Sequence, residues 1–546
     1  MNHDVIQEFE LVFLLLLACV VVFALVARKL GVPYPIVLVV AGLLIGFIPA
    51  MPAIKLEPDV VFLVILPPLL YHSAWVTSWR EFRANLVSIS TLAFGLVGFT
   101  VVAVAFLAPR VLHGFDWRLG FVLGAVVAPT DALAATAIGR RIGLPHRTMA
   151  LLEGESLLND ASGLLMLEFG TAMVVDGEAP TLAMGLSRLL WLTLGGTAVG
   201  LAVGWVVDRF ERRVNYGAIE ITLSLLVPYT AYLLAEAVHA SGVLAVVACG
   251  LLVSWRSAEF YAADVRLESA AVWETIDFIL NGVTFVLIGL QLPAVWAGIH
   301  DYSAGTLITD AIIFTTMLIL LRLIWVYVAS SLAQFVRRRI FGQLVAPIPS
   351  KQKFVLGWTG MRGVIALAAA ISLPVTLDNG APFPHRNVII FFTFSVILIT
   401  LVGQGLTLPA LVRALDLKSS GKLEEEERQA RVILLTTALN HIRHKQSSGS
   451  DETARVYEHL AEHYQRRLNE LETPDRSDGG EVAETAFYRR LHTEVLQVER
   501  NRAIQLRKEG RINDEILRRL QQELDIGEIR LGMTHESNPA NIYGLM

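Results

Sequence analysis

The sequence is short of charge. Only 17% of its 546 residues are Asp, Glu, Lys or Arg, whereas about a quarter of the residues are charged in an ordinary soluble protein. Charge is concentrated near the C-terminus, because apolar residues fill most of 9–413. This distribution argues against a soluble globular protein. It predicts a transmembrane domain at 1–413, followed by a polar domain at 414–546.

Cysteine is also scarce. The two cysteines, Cys19 and Cys249, lie inside apolar runs, where we expect packing residues rather than a disulfide or a metal site. Residues 1–10 hold acids and no Lys or Arg, although a secretory signal begins with basic residues. The first apolar run is therefore predicted to be a retained transmembrane helix. The formal net charge of −5 carries no information about a nucleic-acid partner. We expect neither a nucleic-acid partner nor a bound cofactor.

Long apolar runs are what the sequence has in quantity. A helix that crosses a bilayer needs about 20 mostly apolar residues. This criterion predicts an all-α polytopic membrane protein with about thirteen spans. They cover approximately 9–27, 33–51, 58–76, 84–108, 119–139, 149–175, 188–208, 217–236, 240–255, 272–297, 307–332, 353–376 and 387–413.

The basic residues between the spans predict an orientation. Loops that would share a side with the C-terminus carry most of them, including Arg140, Arg141 and Arg147. Cytoplasmic loops are the ones enriched in Lys and Arg. The N-terminus is therefore expected outside and the C-terminal tail in the cytoplasm.

The sixth span carries the string EGESLLND from Glu153 to Asp160. An ionisable group at mid-membrane is costly, so it indicates a functional site. On a helix, Glu155 shares a stripe with Asn159, and Ser156 shares the neighbouring stripe with Asp160. The carboxylates of Glu155 and Asp160 should therefore face different partners. The alternative is that Asp160 is a buried structural group.

The fifth span contains Pro129, Thr130 and Asp131 at its centre. Proline removes a backbone donor and disfavours helix at the residue before it. The pattern predicts a broken helix that lines a cavity, with Thr130 and Asp131 turned toward an ion or capping the second half. A plain proline kink is the alternative.

The twelfth span contains Gly357, Gly360 and Gly363, with Arg362 near the midplane. An arginine keeps its proton, so it must find a carboxylate or water. We expect Glu155 to be that partner in a structural ion pair. Arg322 in the eleventh span and Asp277 in the tenth are also intramembrane, and the sequence assigns neither a partner.

The two interrupted spans lie seven helices apart. This odd offset gives them opposite orientations, as in transporters built from inverted repeats with a site at crossed, broken helices near the bilayer centre. The similar strings ALAATAI, ending at Ile138, and ALAAAI, ending at Ile371, support the repeat weakly.

Four motifs together resemble the sodium/proton exchangers of the NHE and NhaP type, in their bacterial branch. They are EGESLLNDASGLL from Glu153, APTDALAATAI from Ala128, LPPLLYHSAW from Leu66 and GWTGMRGVIALAAA from Gly357. The resemblance covers the membrane domain in order. Two departures are that the proline precedes Thr130-Asp131 instead of following, and that His72 stands where many relatives carry an acid.

The resemblance implies a homodimer in the bacterial plasma membrane that exchanges Na+, Li+ or K+ for H+. It implies that Asp160 binds cation or proton in turn, beside Asn159, with Thr130, Asp131 and Ser156 as further ligands. It also implies the pair of Glu155 with Arg362. Relatives with Asn before the aspartate are usually electroneutral, which implies one cation per proton.

Other functions stay open at this point. Within the same reaction class the cation could be K+ rather than Na+. A cation channel or ion sensor would use the same scaffold without counter-transport. An intramembrane aspartyl enzyme would use Asp160 and Asp131 as a catalytic pair, but the sequence shows no further catalytic motif and that function leaves Arg362 unexplained.

The tail beyond residue 413 is predicted to be helical and to serve dimer contact or regulation. Helical periodicity covers 424–440, 453–471 and 486–509, and a further helix is expected over 514–524.

Overall fold

The structure of the protein is a computed structural model. It describes residues 3–48, 56–175, 177, 181–214, 216–260, 263–299, 303–340, 342, 347–377, 380–417, 422–447, 451–472, 495, 496, 498–506, 508, 509, 511, 516, 520, 521, 524 and 526. The chain divides into two compact units, Met1–Lys418 and Ser419–Met546. Of the predicted helix at 486–509, residues 495, 496, 498–506, 508 and 509 are described, and all but Glu509 are helical. The predicted helix at 514–524 falls largely outside the described residues.

The first unit is built from helices. In chain order they are α1 (His3–Leu30), α2 (Tyr34–Gly46), α3 (Pro58–Val76), α4 (Trp79–Val111), α5a (Trp117–Val127), α5b (Leu133–Ile142), α6 (His146–Val175), α7 (Leu182–Glu211), α8 (Gly217–Ala237), α9 (Gly242–Phe260), α10 (Ala263–Leu290), α11 (Ala304–Arg339), α12a (Ser350–Trp358), α12b (Val364–Ile371) and α13 (Arg386–Ala414). A short helix, Leu292–Ala297, follows α10. Among the described residues, the β-structure is one isolated bridge between Thr376 and Pro382.

The all-α membrane architecture is confirmed. Each of the thirteen predicted spans coincides with one helix or with a pair of half-helices. By length and composition, eight helices of the described part of the chain can cross a membrane, and α2, α5a and α9 are shorter apolar helices. The helices that fall outside both groups include α6, with its buried acids, and the halves of α12. The exact count of thirteen stays a prediction.

Two spans are broken where the sequence predicts it. Helix α5a ends at Val127 and α5b begins at Leu133, so the break contains Pro129. Helix α12a ends at Trp358 and α12b begins at Val364, and the break contains two of the three glycines of that span. Irregular backbone at membrane depth is tolerated only where protein or a water-filled cavity surrounds it.

Three helices contain a π-helical turn. These turns are Val61–Ile65 in α3, Thr91–Gly95 in α4 and Thr400–Gln404 in α13. The wider turn leaves carbonyl groups for other partners. In α4, the carbonyl of Thr91 accepts a hydrogen bond from Trp325 at 3.1 Å, and that of Ala93 accepts one from Ser162 at 2.9 Å. The turn in α4 thereby ties α4 to α11 and to α6.

Glycines let α2 and α10 approach until their backbones touch. A Cβ atom on Gly289 of α10 would collide with the backbone of Val39 and Leu43 in α2, and one on Gly42 of α2 would collide with the carbonyl of Val286. Small residues at such crossings are how helices associate in lipid, where apolar side chains gain little from leaving the lipid tails. This contact fixes the position of α10 beside the N-terminal spans.

The second unit contains a helical hairpin of α14 (Lys422–Ser447) and α15 (Asp451–Glu472). These helices cover the predicted segments 424–440 and 453–471. Leu435, Leu439 and Leu468 form its buried apolar cluster. The guanidinium of Arg428 donates to the carbonyl of Leu471 at 3.2 Å, which links the start of α14 to the end of α15.

The α2–α10 contact yields a stability prediction. Gly289→Ala should destabilise the protein by about 1–3 kcal/mol, because the added methyl group forces two backbones apart. Gly98→Ala in α4 is the matched control, since a Cβ there meets nothing within 4 Å and alanine favours helix. The thermal unfolding midpoint in detergent measures both. Equal midpoints for the two variants would contradict the proposed packing role.

Candidate functional site at the crossing of two broken helices

The two breaks meet each other. The backbone N–H of Asp131 donates to the carbonyl of Met361 at 2.8 Å. A Cβ on Gly363 would collide with the side chain of Asp131. Gly363 has extended backbone that any residue adopts, so glycine is needed here for the close approach. The predicted pair of crossed, broken helices is therefore confirmed.

Charged side chains satisfy the helix ends that the crossing exposes. The carboxylate of Asp131 accepts a hydrogen bond from the backbone N–H of Leu133 at 2.8 Å, at the start of α5b. Arg362 donates through Nε to the carbonyl of Val127 at 3.0 Å, at the end of α5a. An acid at a helix N-terminus and a base at a C-terminus both oppose the helix dipole. The two side chains therefore stabilise the break in α5 from its two ends.

The predicted pair of Glu155 with Arg362 is wrong. Glu155 forms its ion pair with Arg322 of α11, at 2.5 Å from Nη1 to Oε1 and 3.0 Å from Nη2 to Oε2. Both side chains are 1% exposed. Arg362 instead donates hydrogen bonds to the carbonyls of Val127 and Gly360.

The physical reason lies in the glycine of the second break. A Cβ on Gly360 would occupy the space of the Arg322 side chain. Because Gly360 has no side chain, Arg322 of α11 can reach Glu155. Arg322 also donates to the carbonyl of Leu356 at 3.3 Å. The negative charge of Glu155 remains within electrostatic reach of Arg362, but the bidentate contact belongs to Arg322.

Thr130 connects this ion pair to Asn159. Its hydroxyl donates to Glu155 at 2.8 Å and accepts from the amide of Asn159 at 3.0 Å and from Arg322 at 3.4 Å. The same Asn159 amide donates to the carbonyl of Thr130 at 3.0 Å. These bonds use the proton and both lone pairs of the hydroxyl. Thr130 is thus held in a network that fixes the unwound segment against α6.

Ser156 holds the other side of the same segment. Its hydroxyl accepts a hydrogen bond from the backbone N–H of Ala132 at 3.2 Å. Gly163, two turns further along α6, packs on the ring of Pro129. The break in α5 is therefore in contact with α6 on both sides of Asp160.

Asp160 differs from every other acid at the crossing. It is 4% exposed, yet no group of the described residues donates a hydrogen bond to its carboxylate. Its neighbour Asn159 has a buried amide oxygen that also lacks a partner among the described residues. Asp131 lies within electrostatic reach. Buried acceptors without donors are costly, so this pair of oxygens suits a ligand that brings positive charge.

The structure brings all five predicted ion-site residues to this crossing. It adds Arg322, which sequence reasoning located in the membrane without a partner, and Gly360, which makes room for it. Glu155 and Asp160 do face different surroundings, as their separation around the helix predicts.

Comparison with known proteins agrees with this geometry. The transmembrane sodium/hydrogen exchanger family matches residues 14–414. An uncharacterised Na+/H+ exchanger of Mycobacterium tuberculosis is 34% identical over 537 residues, which cover 95% of this chain and 96% of that protein. A sodium, potassium, lithium and rubidium/H+ antiporter of Bacillus pumilus is 31% identical over 527 residues, which cover 94% of this chain and 77% of that protein.

A solved structure shares the fold. The sodium proton antiporter of Methanocaldococcus jannaschii at pH 8 matches with a TM-score of 0.56 and 20% identity, over 75% of this chain and 99% of that chain. The family match covers nearly the whole membrane unit, and the relatives match almost the full length of the chain. The chain therefore belongs to the transmembrane sodium/hydrogen exchanger family and is a monovalent cation/proton antiporter.

Proposed function

We propose that the protein exchanges Na+ or Li+ for H+ by alternating access, for sodium and pH homeostasis, with Asp160 as the carboxylate that binds cation and proton in turn. The observation that carries the proposal is the buried carboxylate of Asp160, to which no described residue donates a hydrogen bond. A carboxylate in such a place is stable when a cation or a proton cancels its charge.

The cation ligands are proposed to surround Asp160. Asp131 supplies a second carboxylate, Asn159 its free amide oxygen, and Ser156 a hydroxyl that keeps one lone pair and its proton. Oxygen ligands of this kind suit a hard cation. Thr130 stays a predicted ligand. In the described arrangement its hydroxyl is filled by three hydrogen bonds, which supports a positioning role.

Exchange follows from competition at one site. Cation and proton cannot both occupy Asp160, and each leaves the site neutral enough to cross an apolar barrier. The empty, charged site crosses poorly because a bare carboxylate is costly away from water. The cycle therefore runs with an occupied site in both directions, which couples the cation to the proton.

A K+/H+ antiporter is the second candidate. It is favoured by the Bacillus pumilus relative, whose name includes potassium and rubidium. A cation channel and an intramembrane aspartyl enzyme are not favoured, because the family and the relatives are exchangers.

The assembly and its placement are part of the proposal. We propose a homodimer in the bacterial plasma membrane, with the N-terminus outside and the tail in the cytoplasm. The basic residues of the loops that share the side of the tail support this orientation. The helical hairpin of α14 and α15 offers a compact element for dimer contact or regulation.

Asp160→Asn should abolish exchange and leave the fold intact, because the amide keeps the shape and cannot alternate between proton and cation. The measurement is the dissipation of a proton gradient in everted vesicles on addition of Na+, Li+ or K+. Glu168→Gln on the same helix is the control, since Glu168 is exposed and pairs with Arg188. Exchange by Asp160→Asn at the wild-type rate would refute the assignment.

The transport rate should not depend on membrane potential, because one cation replaces one proton at a single carboxylate. The rate of Na+-driven proton movement is measured in proteoliposomes whose potential is clamped at zero or at an inside-negative value. Equal rates support one-for-one exchange. A rate that changes steeply with potential would show that net charge moves in each cycle.

A double-mutant cycle should identify the partner of Glu155. Glu155→Gln should destabilise the protein by about 3–5 kcal/mol, because it leaves a buried arginine unpaired. Adding Arg322→Gln should recover part of that loss, whereas adding Arg362→Gln should deepen it. Thermal unfolding midpoints in detergent compare the variants. If only the addition of Arg362→Gln recovered stability, Glu155 would pair with Arg362, as the sequence predicted.

A further inference from the structure

A second group of polar side chains lies on α10, outside the crossing. Asp277, Asn281 and Thr284 are spaced by four and three residues, so they share one face of the helix. Asn281 is 1% exposed and Thr284 is 3% exposed. The amide oxygen of Asn281 and the hydroxyl of Thr284 are buried, and neither has a hydrogen-bond partner among the described residues.

Unpartnered polar groups on one face require an explanation. Buried amides and hydroxyls are almost always hydrogen-bonded, because burial without a partner costs free energy. Asn281 stands one helical turn from Asp277, and its amide nitrogen interacts with that carboxylate. Its amide oxygen has no hydrogen-bond partner among the described residues. The face therefore presents a carboxylate, an amide oxygen and a hydroxyl oxygen, which are the ligand types that a hard cation takes.

Electrostatic interactions link this face of α10 to the proposed transport site. Asp277 lies within electrostatic reach of Asp131 at the break in α5, and Asp131 lies within reach of Asp160. The three carboxylates thus follow one another from α10 to α6. Arg140 is also near Asp277, but Arg140 already pairs with Glu153 at 2.9 Å. Its charge is shared with that acid.

Aromatic side chains border the face. Trp273, one turn before Asp277, stacks on His72 of α3 with ring centroids 5.9 Å apart. Tyr34 at the start of α2 packs on Phe278 at 5.9 Å and lies within electrostatic reach of Asp277. These rings restrict access and lower the local dielectric, which strengthens the attraction between Asp277 and a cation.

We propose that Asp277, Asn281 and Thr284 form a second monovalent-cation site, which a cation occupies on its way between water and Asp160. The inference rests on the proposed function, because it assumes that Asp160 receives the cation. It adds a site of its own on α10, with Asp277 as the charged ligand and Asn281 as the neighbouring oxygen. The site opens toward the side of the membrane on which Arg140 lies. The loop charges predict that this side is cytoplasmic.

Transport by everted vesicles tests the site. Asp277→Asn should raise the KM for Na+ roughly tenfold, the low end of what a charged cleft contributes to local cation concentration, with the maximal rate little changed. Asn281→Leu should also raise the KM for Na+. Asp277→Glu, which keeps the carboxylate, should leave the KM close to that of the wild type. Glu268→Gln is the matched control, because Glu268 is an exposed acid on the same helix, more than two turns before Asp277. An unchanged KM in Asp277→Asn, or an equal rise in Glu268→Gln, would overturn the proposal.

Binding of 22Na+ to the purified protein separates this inference from the function on which it rests. An Asp160→Asn variant should retain weak Na+ binding, and Asp160→Asn/Asp277→Asn should lose it, with both variants monodisperse in detergent. Loss of all binding in Asp160→Asn alone would overturn the second site. Continued exchange by Asp160→Asn would instead overturn the role of Asp160, while the binding comparison still decides for or against the α10 site.

Discussion

Breaking a helix inside a membrane leaves backbone groups and helix dipoles that lipid cannot satisfy. In this protein two broken helices are placed against each other, so that each supplies what the other lacks. The carbonyl of Met361 receives the N–H of Asp131, and Arg362 reaches across to the end of α5a. The crossing is stable because its charges oppose the exposed dipoles. The proposed cation site depends on this arrangement, since it brings Asp131 within electrostatic reach of Asp160.

The polar residues at the crossing divide into two sets. Glu155, Arg322, Thr130 and the nitrogen of Asn159 are joined by short hydrogen bonds and hold α5, α6 and α11 together. The carboxylate of Asp160 and the amide oxygen of Asn159 receive no hydrogen bond from the described residues. One helix can carry both sets because successive residues point about 100° apart, and Asn159 belongs to both through its nitrogen and its oxygen. The hydrogen-bonded set therefore holds the proposed cation ligands in place.

Much of this could be predicted from the sequence, and the reasons are local. Apolar length located the spans, and Pro129 and the glycines around Arg362 located the breaks, because both act on the backbone where they stand. The periodicity of α6 separated Glu155 from Asp160. The partner of Glu155 could not be obtained in this way, since it depends on the distance between α6 and two other helices. The one available signal was Gly360, whose missing side chain leaves room for Arg322.

The π-helical turn in α4 constrains how the sequence can change over evolutionary time. A π turn holds one residue more than an α-helical turn in the same length of axis, so removal of a single residue from Thr91–Gly95 would restore a regular helix. The two flanks of α4 would keep their orientation, because the wide turn alone accommodates the extra residue. The carbonyls of Thr91 and Ala93, which accept hydrogen bonds from Trp325 and Ser162, would instead be taken up by regular bonds within α4, and the ties to α11 and α6 would weaken. Length in this segment is thus as much a part of the site's architecture as the identity of any side chain.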